Sequence, residues 1–109
     1  MAESHRSDDS LRALARHFRM LSEPLRLQIL EILAEGEQGV QELVSLTGQA
    51  QPHVSRQLSL LAESGFLLRR KEGTRVFYSL KNRRVRKLLQ LAEQSLREEW
   101  RELLKRMEE

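Results

Sequence analysis

The sequence predicts a mainly α-helical domain with one small β-hairpin, its elements in the order α-α-α-α-β-β-α. Three observations predict it. Apolar residues recur at spacings of three and four in five separate segments, the period of an amphipathic helix. One stretch, 66–80, instead places aromatic and β-branched residues around a glycine turn. The two prolines and five glycines fall between these segments and act as punctuation. With 109 residues, 39% of them hydrophobic, the chain can build one core and is too short for two comfortable ones. Residues 1–8 are expected to form a flexible tail and 9–109 a single domain.

The first helix is predicted to start near Ser7 or Asp9, both good caps, with acids in the first turn. Leu11, Leu14, Ala15, Phe18 and Leu21 give it one apolar stripe. Ser22-Glu23-Pro24 ends it and opens the next helix, with Ser22 as cap and Pro24 in a first turn that needs no N–H from it. Leu25, Leu27, Ile29, Leu30, Ile32 and Leu33 are apolar on nearly all sides, so this second helix is expected to be the most buried. Gly36 or Gly39 closes it. A short third helix spans about Val40–Thr47 with Val40, Leu43, Val44 and Leu46 inward, and Gly48 ends it. The fourth runs from Gln51-Pro52 to Ser64 and stops at Gly65. Phe66–Lys71 and Arg75–Leu80 then flank Glu72-Gly73-Thr74 as a hairpin. Asn82 caps a last helix from about Arg83 to Met107. A short helix, a tight turn, a second helix and a basic hairpin together read as a winged helix-turn-helix.

Charge is distributed unevenly. Residues 66–90 hold nine basic groups and one acid, Glu72, a net charge of +8 inside a chain whose total is +3. Such a block points to a polyanion partner or to a solvated face. The absence of cysteine removes disulfides, thiolate metal sites and cysteine nucleophiles. No run of ~18 apolar residues is present, so nothing is predicted to span a membrane. The polar, acidic start does not read as a secretory signal. The expected compartment is the cytoplasm.

At 100° per residue, Val54, Leu58 and Leu61 fall within about 60° of one another and must face the core. Pro52, Arg56, Ser59 and Glu63 lie opposite, His53 and Ser55 flank that outer face, and Gln51 sits in the first turn. Amide, imidazole, hydroxyl and guanidinium groups are the types that read base edges in a major groove. Gln51, Pro52, His53, Ser55, Arg56 and Gln57 are therefore assigned to double-stranded DNA at or near the bases. Arg69, Arg70, Lys71, Thr74 and Arg75 on the hairpin are assigned to the phosphate backbone. The same cations also suit the protection of an edge strand. His53 and Ser55 stand ~160° apart on one helix and cannot act as a nucleophile–base pair. No phosphate-cradling glycine loop is present, and no enzyme, cofactor or membrane partner is expected.

The last helix carries Val85, Leu88, Leu89, Ala92, Leu96, Trp100, Leu103, Leu104 and Met107 on one stripe. At roughly 25 residues it is ~38 Å long, more than this domain needs for its own core. The first helix, through Leu11, Leu14 and Phe18, can face Leu88, Leu89, Ala92, Leu96, Trp100 and Leu103 of a second copy. A helix hairpin within one chain is the alternative.

The string Gln51-Pro52-His53-Val54-Ser55-Arg56-Gln57-Leu58, followed by Leu61, Ser64-Gly65-Phe66-Leu67, Arg69-Arg70-Lys71-Glu72-Gly73-Thr74-Arg75 and Tyr78-Ser79-Leu80, resembles the ArsR/SmtB family of bacterial winged-helix repressors. Ser22–Leu30 resembles that family's second-helix opening. The resemblance covers residues 10–108. It implies a homodimeric repressor that leaves operator DNA when a ligand, usually a metal ion, binds. It is specific for the fold and for DNA binding and silent about the effector. Two departures stand out. Ala50 replaces the Ser that usually caps the fourth helix in relatives. The family's sensor ligands are also missing: third-helix sites use cysteines, and Val40–Leu46 has none. Last-helix zinc sites pair Asp with His, and Ser79–Trp100 has neither. The histidines are His5, His17 and His53; the first two, with acids, leave an atypical metal site open. The reading is a regulator not obviously metal-responsive, with a winged-helix protein–protein module as its rival.

Overall fold

The computed structural model describes residues 7–108. Helix α1 (Asp8–Arg19) is followed by α2 (Pro24–Ala34), a two-residue strand β1 (Gln38–Gly39), α3 (Val40–Thr47) and α4 (Gln51–Glu63). Strands β2 (Leu67–Glu72) and β3 (Arg75–Leu80) lead into α5 (Arg83–Glu108). Among the described residues no helix is long and apolar enough to cross a membrane. His5 lies outside the described residues.

Local chemistry sets most boundaries. The Ser7 hydroxyl caps α1 by accepting the Ser10 N–H at 3.1 Å. Asn82 Oδ1 accepts from the Arg84 N–H at 2.9 Å and caps α5. Gly48 leaves α3 in the left-handed region at φ 69°, a conformation that costs glycine little. Ser22 does not cap α2, contrary to expectation. Its hydroxyl turns back and donates to the Arg19 carbonyl at 2.6 Å, and Glu23 occupies the cap position with no side-chain bond.

The core is a wedge between α2, α3, α4 and the hairpin. Leu25, Ile29, Leu30 and Leu33 from α2 meet Leu43 from α3 and Val54, Leu58 and Leu61 from α4. Phe66, Leu67, Tyr78 and Val85 close it. The burial expected of α2 is thus shared with α4. Leu46 was expected inward and is 54% exposed. On an ideal helix it lies about 60° from Leu43, on the side away from Val44, beyond the arc that a two-turn helix can bury.

Strand β1, not foreseen in the sequence, makes a three-stranded antiparallel sheet in the order β1-β3-β2. Gln38 pairs with Tyr78 and Gly39 with Phe77. The hairpin register runs from Leu67↔Leu80 to Glu72↔Arg75. Gly73 takes the first turn position at φ 62°, where a side chain would be strained.

The chain leaves much surface uncovered. It exposes 8545 Å², against about 6,300 Å² for a folded monomer of this mass. Its radius of gyration is 17.1 Å, against roughly 13 Å for a compact domain of this length. The two terminal helices contribute to this excess. α1 buries no residue, and α5 buries Val85 alone among its described residues. The two do not pack face to face within the chain. The alternative of an intrachain helix hairpin is therefore not the arrangement found.

Candidate nucleic-acid interface

Helix α4 lies across the core with its apolar arc inward. Val54, Leu58 and Leu61 are fully buried, as the helical wheel requires. Gln51, Pro52, His53 and Arg56 are exposed and Ser55 is half-buried. Ala50 stands at the cap position and no side chain caps the helix. Its first-turn N–H groups therefore point outward at the positive end of the dipole, where a phosphate is favoured.

Gln57 does not belong to this exposed set. It is 6% exposed, and its Oε1 accepts from Arg26 Nη1 at 2.7 Å. The assignment of Gln57 to base contact is corrected: it sits three residues after Val54 and four before Leu61, inside the buried arc. At 100° per residue Gln57 lies about 60° from Val54, so the helix buries it despite its polarity.

The hairpin stands beside α4 as a wing, and the groove between them has a volume of about 370 Å³. Gln51, Ser55 and Ser59 line it from α4, and Arg69, Thr74, Arg75, Val76 and Tyr78 from the wing. The register puts Arg69 opposite Tyr78 and Lys71 opposite Val76. These residues share the face that looks toward α4, because side chains alternate along a strand.

Two wing arginines are held inside the chain. Arg70 grips Glu37 in a fork, with Nη2 to Oε1 at 2.8 Å and Nε to Oε2 at 3.1 Å, and reaches Glu72 at 2.6 Å. Arg75 pairs with Glu42. Both guanidinium groups stack over the Phe77 ring, at 4.6 and 4.8 Å from its centre. Arg56, Arg69 and Lys71 enter no ion pair among the described residues. The nine cations of the basic block are also dispersed. Lys81, Arg83, Arg84, Arg86 and Lys87 lie at the wing's base and the opening of α5, away from the turn.

The Arg70 fork holds the Glu37 carboxyl below its ordinary range. Glu42 is lowered first by its own backbone N–H and then by Arg75. A depressed folded pKa contributes stability above the unfolded value and loses it as pH falls through the folded one. The anchorage of the wing is therefore expected to be intact near neutrality and to loosen in acid, below the ordinary carboxylate pKa of about 4.5. Hydrogen exchange at the Phe77 and Tyr78 amides, followed from pH ~6 to ~3, should show protection falling only in the acid limb. Constant protection across that range would refute the role of these pairs. Gly39 belongs to the same device. A Cβ there would meet the Glu42 carboxylate and crowd Arg75.

At the far edge of the domain, Leu11, Leu14, Phe18, Leu96, Trp100 and Leu103 are between 37% and 60% exposed. Ala92 is exposed as well. Leu88 and Leu89 are half-buried: Leu89 packs on the core, and Leu88 borders a cavity with His17, Gly65 and Phe66. His17 stacks on Phe66 with ring centres 4.3 Å apart, seating α1 on the rest of the chain. Among the described residues no three His, Cys, Asp or Glu side chains converge as a metal site would require.

A helix-turn-helix whose second helix exposes polar groups beside a cationic β-wing defines a winged-helix DNA-binding domain. Residues 23–67 match the bacterial regulatory proteins of the arsR family. The chain is 38% identical over 82 residues to the HTH-type transcriptional regulator KmtR of Mycobacterium tuberculosis, covering 75% of this chain and 63% of that protein. It is 40% identical over 78 residues to a probable mercury resistance operon repressor of Streptomyces lividans, covering 72% and 62%. The chain thus spans somewhat over three-fifths of the length of these two curated relatives. Its fold is similar to the solution structure of a homodimeric winged helix-turn-helix domain, Mb0332 of Mycobacterium bovis, described as a possible ArsR-family regulator. That match has a TM-score of 0.77 at 33% identity and covers 86% of this chain and 90% of that one. The chain belongs to the arsR family of regulatory proteins.

Proposed function

We propose that the chain is a homodimeric transcriptional repressor that binds operator DNA and has no catalytic activity. The observation that carries this reading is the juxtaposition of α4 and the wing across one open groove. Gln51, His53, Ser55 and Arg56 would enter the major groove, with Pro52 shaping the first turn. Arg69, Lys71 and Thr74 would rest on the phosphate backbone. Arg75 would exchange Glu42 for a phosphate, while Arg70 holds the wing in place. The dimer would form through the uncovered faces of α1 and α5, which gives two recognition helices related by a two-fold axis. With no cysteine in the chain, control by a thiolate-bound metal is not part of this proposal.

The test separates helix from wing. Arg56→Ala is expected to cost ~1–3 kcal/mol on selected operator DNA and less on random DNA. Lys71→Ala is expected to weaken both DNAs about equally. It should also reduce the magnitude of the log K versus log salt slope by about 0.9 per lost contact, nearly twice that in a symmetric dimer. Titrations on both DNAs at several salt concentrations read all of this. Equal losses for Arg56→Ala with a specificity change for Lys71→Ala would reverse the roles.

A further inference from the structure

Arg26, in the first turn of α2, spans from the end of α1 to the middle of α4. Its Nε donates to the Met20 carbonyl at 2.7 Å, and Nη2 reaches the Arg19 carbonyl at 3.4 Å. These carbonyls lie at the end of α1, where the helix dipole is negative. The Arg19 oxygen also accepts from the Ser22 N–H at 3.1 Å and the Ser22 hydroxyl at 2.6 Å, so the Met20 carbonyl is the main anchor of Arg26 on this side. The third arm, Nη1, donates to Gln57 Oε1 at 2.7 Å. Charge-assisted bonds of this length are strong and directional, and a guanidinium fork is rigid. The side chain is partly buried, so salt screens it weakly.

The two ends of this bridge differ in what holds them. Gln57 is wedged in the core beside Val54 and Leu61. α1 buries none of its own residues and meets the rest of the chain at its C-terminal end, through His17 on Phe66 and through Met20 and Leu21 just beyond it. Its tilt about that end therefore depends on whatever covers its apolar face. A shift of α1 moves the Met20 carbonyl, Arg26 follows, and Gln57 transmits the pull to α4. Side-chain tips stand ~5–6 Å from a helix axis, so a 10° roll of α4 moves Arg56 and His53 by about 1 Å. That is enough to spoil hydrogen bonds to base edges.

We propose that Arg26 is a positioning residue that couples the seating of α1 to the roll of α4, so that discrimination among DNA sequences is set in part at the dimer interface. The proposal rests on the DNA-binding reading above. The experiment measures the ratio of affinities for a fragment that the wild type selects from a random pool and for random-sequence DNA. Because each variant is compared with itself, its folded fraction cancels. Gln57→Leu removes the acceptor, and Arg26→Lys leaves an ammonium that cannot fork across both helices. Each is expected to lower the ratio on the order of tenfold, with the double variant no worse than either single one. Gln57→Glu keeps an acceptor and is expected to stay within about threefold of the wild-type ratio. Hydrogen exchange over residues 51–57 should slow in the wild type as concentration drives dimerisation, and in Gln57→Leu it should not respond. An unchanged ratio, losses that multiply in the double variant, or an α4 exchange response retained in Gln57→Leu would each overturn the coupling. If the wild type itself does not discriminate between DNAs, the DNA-binding reading fails instead.

Discussion

Trp100→Ala is expected to weaken the dimer by about 3 kcal/mol, roughly a hundredfold in its dissociation constant. In the protomer Trp100 is 60% exposed, midway along a stripe that also shows Leu96, Leu103 and Leu104 to solvent. An indole left uncovered on a 26-residue helix is the side chain with most to gain from a partner surface. Large aromatic residues carry a disproportionate share of interface energy when a partner encloses them. A two-fold interface loses the side chain twice, so the estimate is a lower one. Sedimentation from nanomolar to micromolar concentration measures the shift, with DNA affinity falling alongside it. A wild type that remains monomeric at micromolar concentration would remove the dimer from the proposal.

Phe66→Ala is expected to cost the fold ~3–5 kcal/mol, a large part of the ~5–15 kcal/mol that stabilises a domain of this size. Phe66 is 1% exposed and sits where α4 turns into the wing. Its N–H donates to the Leu61 carbonyl at 2.9 Å, and its own carbonyl accepts from the Lys81 N–H at 2.9 Å. The ring supports His17 above it. One cavity at this point therefore undermines α1, α4 and the wing together. At ~4 °C or more per kcal/mol, the thermal midpoint should fall by over ~12 °C, measured at fixed protein concentration because dimerisation adds to stability. A loss below ~1 kcal/mol would mean that the site collapses around the missing ring.

Helical periodicity made most of the fold readable in the sequence. Five helices and the hairpin stand where apolar spacing, caps and glycines place them, because each of these signals is local. What escaped was set by tertiary contact. β1 is two residues long, too short to show alternation, and exists because β3 offers it an edge. Gln57 reads as a groove residue until Arg26, 31 positions away in sequence, supplies the partner that lets an amide be buried. In the sequence the wing arginines suit a phosphate backbone or a protected edge strand. Glu37 and Glu42, each 33 positions from its arginine, claim two of them in the folded chain. The exposure of Gln51, Pro52, His53 and Arg56 on α4 was legible for the opposite reason: such positions answer only to the helix that carries them.

The two-residue strand β1 makes the wing a fixed caliper jaw. A free hairpin would have to settle onto DNA and lose freedom in doing so. Here β3, the middle strand of the sheet, is hydrogen-bonded through β1 to the segment that opens α3, so the gap between wing and α4 is gauged before any duplex arrives. If the chain binds DNA as proposed, a duplex of the wrong local width would have to bend or be refused. Sequence steps that no side chain touches would be sorted by how readily they yield.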